Sequence, residues 1–151
     1  MNNDNTYSPL TVKAAMNDQQ QKVISYFYEG ANQTTGMAYN GSTSKTTLTT
    51  GATGMGIMNL VIGVERGWIS REDAAEHIVK IVRIPENSRP ILPEPGRIGT
   101  DPTAKILPLR KPKNEAGEIV ETAFMMGGLL TACEYFTDNS EAEKEIRETT
   151  N

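Results

Sequence analysis

The chain has 151 residues, room for one ordinary domain and its core, and a net charge of −4 from 15 basic and 19 acidic side chains. That balance excludes a strongly basic face for nucleic acid. No apolar run is long enough to span a bilayer, and a lone cysteine, Cys133, excludes a disulfide framework within the chain.

Met1 to Tyr7 is polar and lacks the basic and apolar regions of a signal peptide. Residues 1–15 read as a disordered N-terminal segment, ahead of a domain over 16–151. Met16, Val23, Ile24 and Phe27 form a one-sided stripe that predicts a first helix ending near Gly30. Ala31 to Thr50, rich in Thr, Ser, Asn and Gly, reads as loop with a short extended piece at Gly36 to Tyr39. A second helix follows over Ala52 to Arg66, with almost no polar face. Its glycines, Gly51, Gly54, Gly56 and Gly63, each cost roughly 1 kcal/mol against Ala in a free helix, so they imply a close neighbour, backbone or ligand. Gly67 is placed to cap it. Ser70-Arg71-Glu72-Asp73 is a capping-box start for a third, amphipathic helix through Val82, which Pro85 ends. Glu86 to Glu115 carries six of the chain's eight prolines and no sustained period, which predicts a long loop.

Gly117 to Phe136 is a fourth helix, apolar all round except for Glu118 and Glu121 in its first turn and Glu134 near its end. A helix without a polar face is expected to be buried on every side. Ser140 to Glu143 offers a second capping box before a polar fifth helix, Ala142 to Glu148. Apolar and one-sided or polar helices thus alternate, as in hairpins whose first members line a central ring. A closed ring needs more hairpins than five helices supply. The faces of helices two and four are therefore under-covered, which implies a larger domain or self-association through those faces.

The acids of helix four are the candidate chemistry. Glu118 and Glu121 are i,i+3 neighbours, and acids in a first turn complement the helix dipole at a few tenths of a kcal/mol, ~0.3 or more each. Glycoside hydrolysis is the alternative: it sets two carboxyl groups ~5–5.5 Å or ~6.5–9.5 Å apart across a glycosidic bond. An i,i+3 pair sits on one side of a cavity, so one acid would serve and the other tune it, with a partner from another helix. Gly51-Ala52-Thr53-Gly54-Met55-Gly56 has the order G-x-x-G-x-G with no strand before it, which points to close backbone packing or a sugar-facing loop and not to phosphate binding. His77 stands alone and reads as structural; no Cys/His cluster implies a metal, and no cofactor is expected.

At these residues a resemblance becomes specific. Thr50-Gly51-Ala52-Thr53-Gly54-Met55-Gly56-Ile57-Met58, then Ile62-Gly63-Val64-Glu65-Arg66-Gly67-Trp68-Ile69-Ser70-Arg71-Glu72, resembles the first inner-helix block of the bacterial glycoamylase-like domain. That group includes endo-β-1,2-glucanases. Tyr26-Phe27-Tyr28 and Thr35-Gly36-Met37-Ala38 are similar to its opening motif, and the run from Gly117 to Leu130 resembles its second inner-helix block. The resemblance implies an all-α, incomplete (α/α)6 toroid and an oligo- or polysaccharide ligand of the β-glucan class. Members are usually periplasmic or secreted.

It also implies catalytic roles for Glu121, which matches the family's Glu, and Glu118, which stands where the family usually has Asp. Thr50, Thr53 and Gly54 are then substrate-binding candidates. Family members carry a Trp-rich stretch between the blocks, whereas Glu86 to Arg110 has no aromatic residue. Their domain is longer and holds further acids, so the chain corresponds to roughly the first third of a toroid. The expected function is a glycoside-hydrolase-type domain, weakly active or inactive alone. A carbohydrate-binding remnant and a helical interaction module are the alternatives.

Overall fold

The computed structural model describes residues 9–43, 45, 48–84 and 119–150. It contains α1 (Pro9–Tyr28), α2 (Thr50–Glu65), α3 (Arg71–Val82), α4 (Ile119–Tyr135) and α5 (Glu141–Thr150). Among the described residues there is no sheet, and one isolated antiparallel bridge joins Tyr39 to Leu48. The chain is all-α, as its periodicity predicts. Residues 9–15, expected to be disordered, instead form the first turns of α1. The Pro-rich segment from Glu86 to Glu115 lies outside the described residues, as do Glu118 and residues 1–8.

Local chemistry sets the helix starts. Thr49 caps α2 in extended conformation, its hydroxyl accepting from the Ala52 N–H at 3.2 Å. Ser70 caps α3 through the Asp73 N–H at 3.0 Å, and its hydroxyl donates to the Asp73 carboxylate at 2.6 Å. At α5 only half of the expected box forms. Ser140 Oγ accepts from the Glu143 N–H at 3.3 Å, but the Glu143 carboxylate turns away to Arg71.

The core joins Ile24, Ile57, Leu60, Ile78, Ile81, Met125, Leu129, Phe136 and Ile146. Each such buried side chain is worth about 1.5–3 kcal/mol relative to exposure. Of the α1 stripe, Ile24 enters this core while Met16 and Val23 stay exposed. A smaller cluster of Met37, Tyr39 and Leu48 packs the loop between α1 and α2, so much of that polar-looking segment is buried.

The most extensive helix contact is between α2 and α4. Gly51 meets Glu121 at one end, and the Tyr135 hydroxyl donates to Glu65 at 2.7 Å at the other. The two helices therefore run parallel and in register. Midway they nearly touch backbone to backbone: a Cβ at Gly54 would overlap the Phe124 carbonyl, and one at Gly128 the Gly54 carbonyl. The expectation that both helices are buried on every side does not hold. Ile119 (80% exposed), Val120 (65%) and Leu130 (56%) on α4, with Met55 and Ile62 on α2, face outward. The other described helices do not wrap these two apolar ones completely, and the bare faces are those expected to be under-covered.

Arg71 ties the outer helices to the core. Its guanidinium forms a two-pronged pair with Glu143 (2.8 and 2.9 Å), donates to the Tyr135 carbonyl at 2.8 Å and lies over the Tyr135 and Phe136 rings. Burial pushes the Glu143 carboxyl up, but the hydrogen bonds from Arg71 and the Asp138 N–H, with the nearby Arg147 charge, outweigh it and hold the group below its ordinary range.

Candidate functional site

The parallel packing of α2 and α4 brings two helix N-termini to one mouth. There the Gly51 N–H, which has no acceptor within its own helix, donates to Glu121 Oε2 at 2.5 Å. A carboxylate suits this place because the positive ends of both helices converge on it. A Cβ at Gly51 would lie on the Glu121 carboxyl, so a larger residue there would push that carboxyl aside. Glu121 itself is half-buried.

The loop before α2 braces this mouth. Thr53 Oγ1 donates to the Thr49 carbonyl at 2.6 Å and accepts from the Ala38 N–H at 3.1 Å. The Thr49 N–H returns to the Ala38 carbonyl at 3.1 Å. Asn32 Oδ1 accepts from the N–H groups of Thr34 and Thr35, both at 3.0 Å, and the Tyr26 hydroxyl donates to the Tyr39 carbonyl at 2.7 Å. The aromatic motif at Tyr26 and the Thr35–Ala38 motif, separate in sequence, thus meet as one bracket under α2.

The sequence candidates fall into three places. Glu121 and Thr50, the half-buried first residue of α2, stand at the mouth. Thr53 and Gly54 lie behind it, Thr53 with its hydroxyl engaged in the loop bracket and Gly54 in the crossing with α4. Glu118 lies outside the described residues. Sequence reasoning passed over Thr49 and gave Gly36 and Ala38 only a place in the motif that resembles the family's opening. The signal for Thr49 was present as a Thr two residues before Gly51, but α2 was expected to begin at Ala52.

His77 is buried at 4% exposure, and its Nε2 lies 2.9 Å from the Gly36 carbonyl. A carbonyl only accepts, so Nε2 carries the proton and Nδ1 is bare in the neutral ring. Burial lowers its pKa most, the bond to Gly36 raises it, and Lys80 lowers it further; the net shift is down. Among the described residues no group of three or more His, Cys, Asp or Glu could hold a metal ion. No described helix is long and apolar enough to cross a membrane.

This geometry, two parallel inner helices with outer helices behind them, is shared with known proteins. The chain is 34% identical over 143 residues to the exo-β-1,2-glucooligosaccharide sophorohydrolase of Parabacteroides distasonis, covering 94% of this chain and 20% of that protein. A crystal structure of a β-1,2-glucanase from the same organism superposes with a TM-score of 0.80 at 33% identity, over 96% of this chain and 21% of that one. Over nearly its whole length the chain is similar to one section of these β-1,2-glucan-acting enzymes.

An endo-β-1,2-glucanase of Chitinophaga pinensis, solved with sophorotriose and glucose, matches at TM-score 0.77 and 30% identity, over 96% of this chain and 36% of that one. A structure described as a putative glucoamylase from Bacteroides uniformis matches at TM-score 0.80 and 33% identity, over 96% and 36%. No protein-family model matches. The chain spans about a fifth of the length of the curated relative. Its five described helices are thus arranged as a section of an (α/α)6 toroid, as the family resemblance implies.

Proposed function

We propose that this chain forms one glycan-facing section of a β-1,2-glucan hydrolase-type toroid. Glu121 is its principal sugar- or water-holding group, Glu118 its neighbour in the chemistry, and Thr50 a second contact at the mouth. Thr53 and Gly54 act from behind, keeping α2 where Gly51 meets Glu121. The observation that carries this reading is the half-buried Glu121, whose carboxyl is pinned by Gly51 at the shared mouth of two parallel helices. A carboxylate so held accepts a hydrogen bond from a sugar hydroxyl or from water and keeps its orientation while doing so. Hydrolysis also needs a carboxyl group across the scissile bond, and the expected pair Glu118 and Glu121 comes from one turn of one helix. The chain alone therefore binds β-1,2-glucan and does not hydrolyse it.

Calorimetry with sophorotriose, beside a reducing-sugar assay on β-1,2-glucan, tests this. Binding that weakens in Glu121→Gln, without turnover, is the expected result. Turnover lost in Glu121→Gln would overturn the claim of inactivity. Absence of binding would overturn the glycan reading.

A second reading rests on a different observation, the row of exposed apolar residues Ile119, Val120, Phe124 and Leu130. On that reading the chain is a helical interaction module that self-associates through α4. A concentration-dependent dimer in sedimentation, with no glucan affinity, would favour it.

A further inference from the structure

We propose that His77 is a positioning residue for the Glu121 mouth, holding the loop between α1 and α2 against α3 so that the Gly51 N–H is aimed at Glu121. The inference deepens the proposed glycan site and rests on it for its functional meaning, but its geometry stands apart.

The path is short and built of backbone. His77 Nε2–H donates to the Gly36 carbonyl at 2.9 Å. Gly36 has φ +72°, a conformation other residues rarely adopt, and a Cβ there would meet the His77 carbonyl and the Ile81 side chain, each at 2.8 Å. The loop is thus pressed onto α3 at this point with no slack. Two residues on, the Ala38 N–H and carbonyl bond to Thr53 Oγ1 and the Thr49 N–H. Thr49 caps α2, and the second residue after that cap, Gly51, carries the N–H that meets Glu121. A shift of Gly36 along α3 is therefore passed to the α2 cap and to the Gly51–Glu121 distance.

A buried imidazole is an uneconomical way to fill space, since an aliphatic side chain would do so without a polar atom to satisfy. Among the described residues its hydrogen bond goes to this loop. The polar cleft over the ring is lined by Tyr28 and Glu29 from the end of α1, by Gln33 from the loop, and by Asp73, Glu76 and Lys80 from α3. The Tyr28 ring centre lies 5.5 Å from the imidazole.

The test is amide NMR on the full 151-residue chain, comparing wild type with His77→Leu, which removes the donor, and His77→Gln, which restores one. The Ala38 and Gly51 amide resonances are expected to move in His77→Leu and to return towards wild type in His77→Gln. Exchange of those two amides should quicken roughly fivefold to tenfold in His77→Leu, while the Ile146 amide, deep in the core, changes less. Equal acceleration at all three sites, or unmoved Ala38 and Gly51 resonances in a folded His77→Leu, would overturn the proposal.

If His77→Leu does not fold, His77→Phe, which keeps a ring but no donor, takes its place with the same two amides as readout, and unmoved Ala38 and Gly51 resonances in that variant would overturn the inference. None of these readings needs glucan. Failure of the glycan proposal and failure of this one are thus separable.

Discussion

The Gly51 N–H donates to Glu121 across 70 residues of sequence, at 2.5 Å, and so locks the first turns of α2 and α4 together. Neither helix satisfies this N–H by itself, and the acid that satisfies it is the half-buried one proposed to hold the sugar. Structural and chemical demands on Glu121 therefore coincide, which makes the choice of substitution decisive. Glu121→Gln keeps an acceptor oxygen and should lower stability by only about 0.3–1 kcal/mol, the charge–dipole part. Glu121→Ala strands a buried N–H and should cost about 1–3 kcal/mol. Urea denaturation of the two variants checks the difference.

Gly54 and Gly127 give a matched pair. Gly54→Ala drives a Cβ into the Phe124 carbonyl and should destabilise by at least ~1–3 kcal/mol. Gly127 has nothing within 4 Å of the same added atom, so Gly127→Ala should stabilise by about 0.5–1 kcal/mol through helix propensity alone. Thermal unfolding that ranks the two variants the other way round would refute the close α2–α4 crossing.

The Arg71–Glu143 pair predicts acid sensitivity. Glu143 is held below its ordinary range, so its contribution is present above the unfolded value of about 4.3 and lost as pH falls through the folded one. Arg71→Met leaves a buried carboxylate without its partner and should cost roughly 2–3 kcal/mol near neutrality. The deficit should shrink in acid, which denaturation midpoints across pH will read.

His77 acts in a higher window. Its folded pKa is depressed, so between that value and the unfolded value of about 6.5 the unfolded chain binds more protons. Stability therefore rises with pH through this window and falls away below about pH 6.5. His77→Gln should flatten that part of the profile and leave the lower, carboxylate part in place. Denaturation midpoints that slope alike in both proteins between about pH 7 and pH 5 would contradict this.

Much of the fold was legible in the residues. Ser70 with Asp73 marked the start of α3, and the alternation of apolar with one-sided or polar helices already implied inner and outer members of a ring. The same reading expected two acids at the head of α4, of which Glu121 stands there and Glu118 lies outside the described residues. It missed the burial of Ala31 to Tyr39, because a segment rich in Thr, Asn and Gly gives no periodic signal. Its order comes instead from bonds such as Ala38 to Thr53 and Gly36 to His77, made with elements met later in the chain. It also expected α4 to be buried all round, whereas Ile119 and Leu130 are bare, since apolar content states a need for cover and not who supplies it.

The sequence by itself determined where helices form, since capping and the 3.6-residue period act within one or two turns. Only the tertiary structure decided that α2 and α4 run parallel, that Gly54 and Gly128 lie against one another, and that Glu121 lands on Gly51. Those contacts join residues many turns apart, and their partners are selected by shape and by unsatisfied hydrogen bonds that no local pattern records.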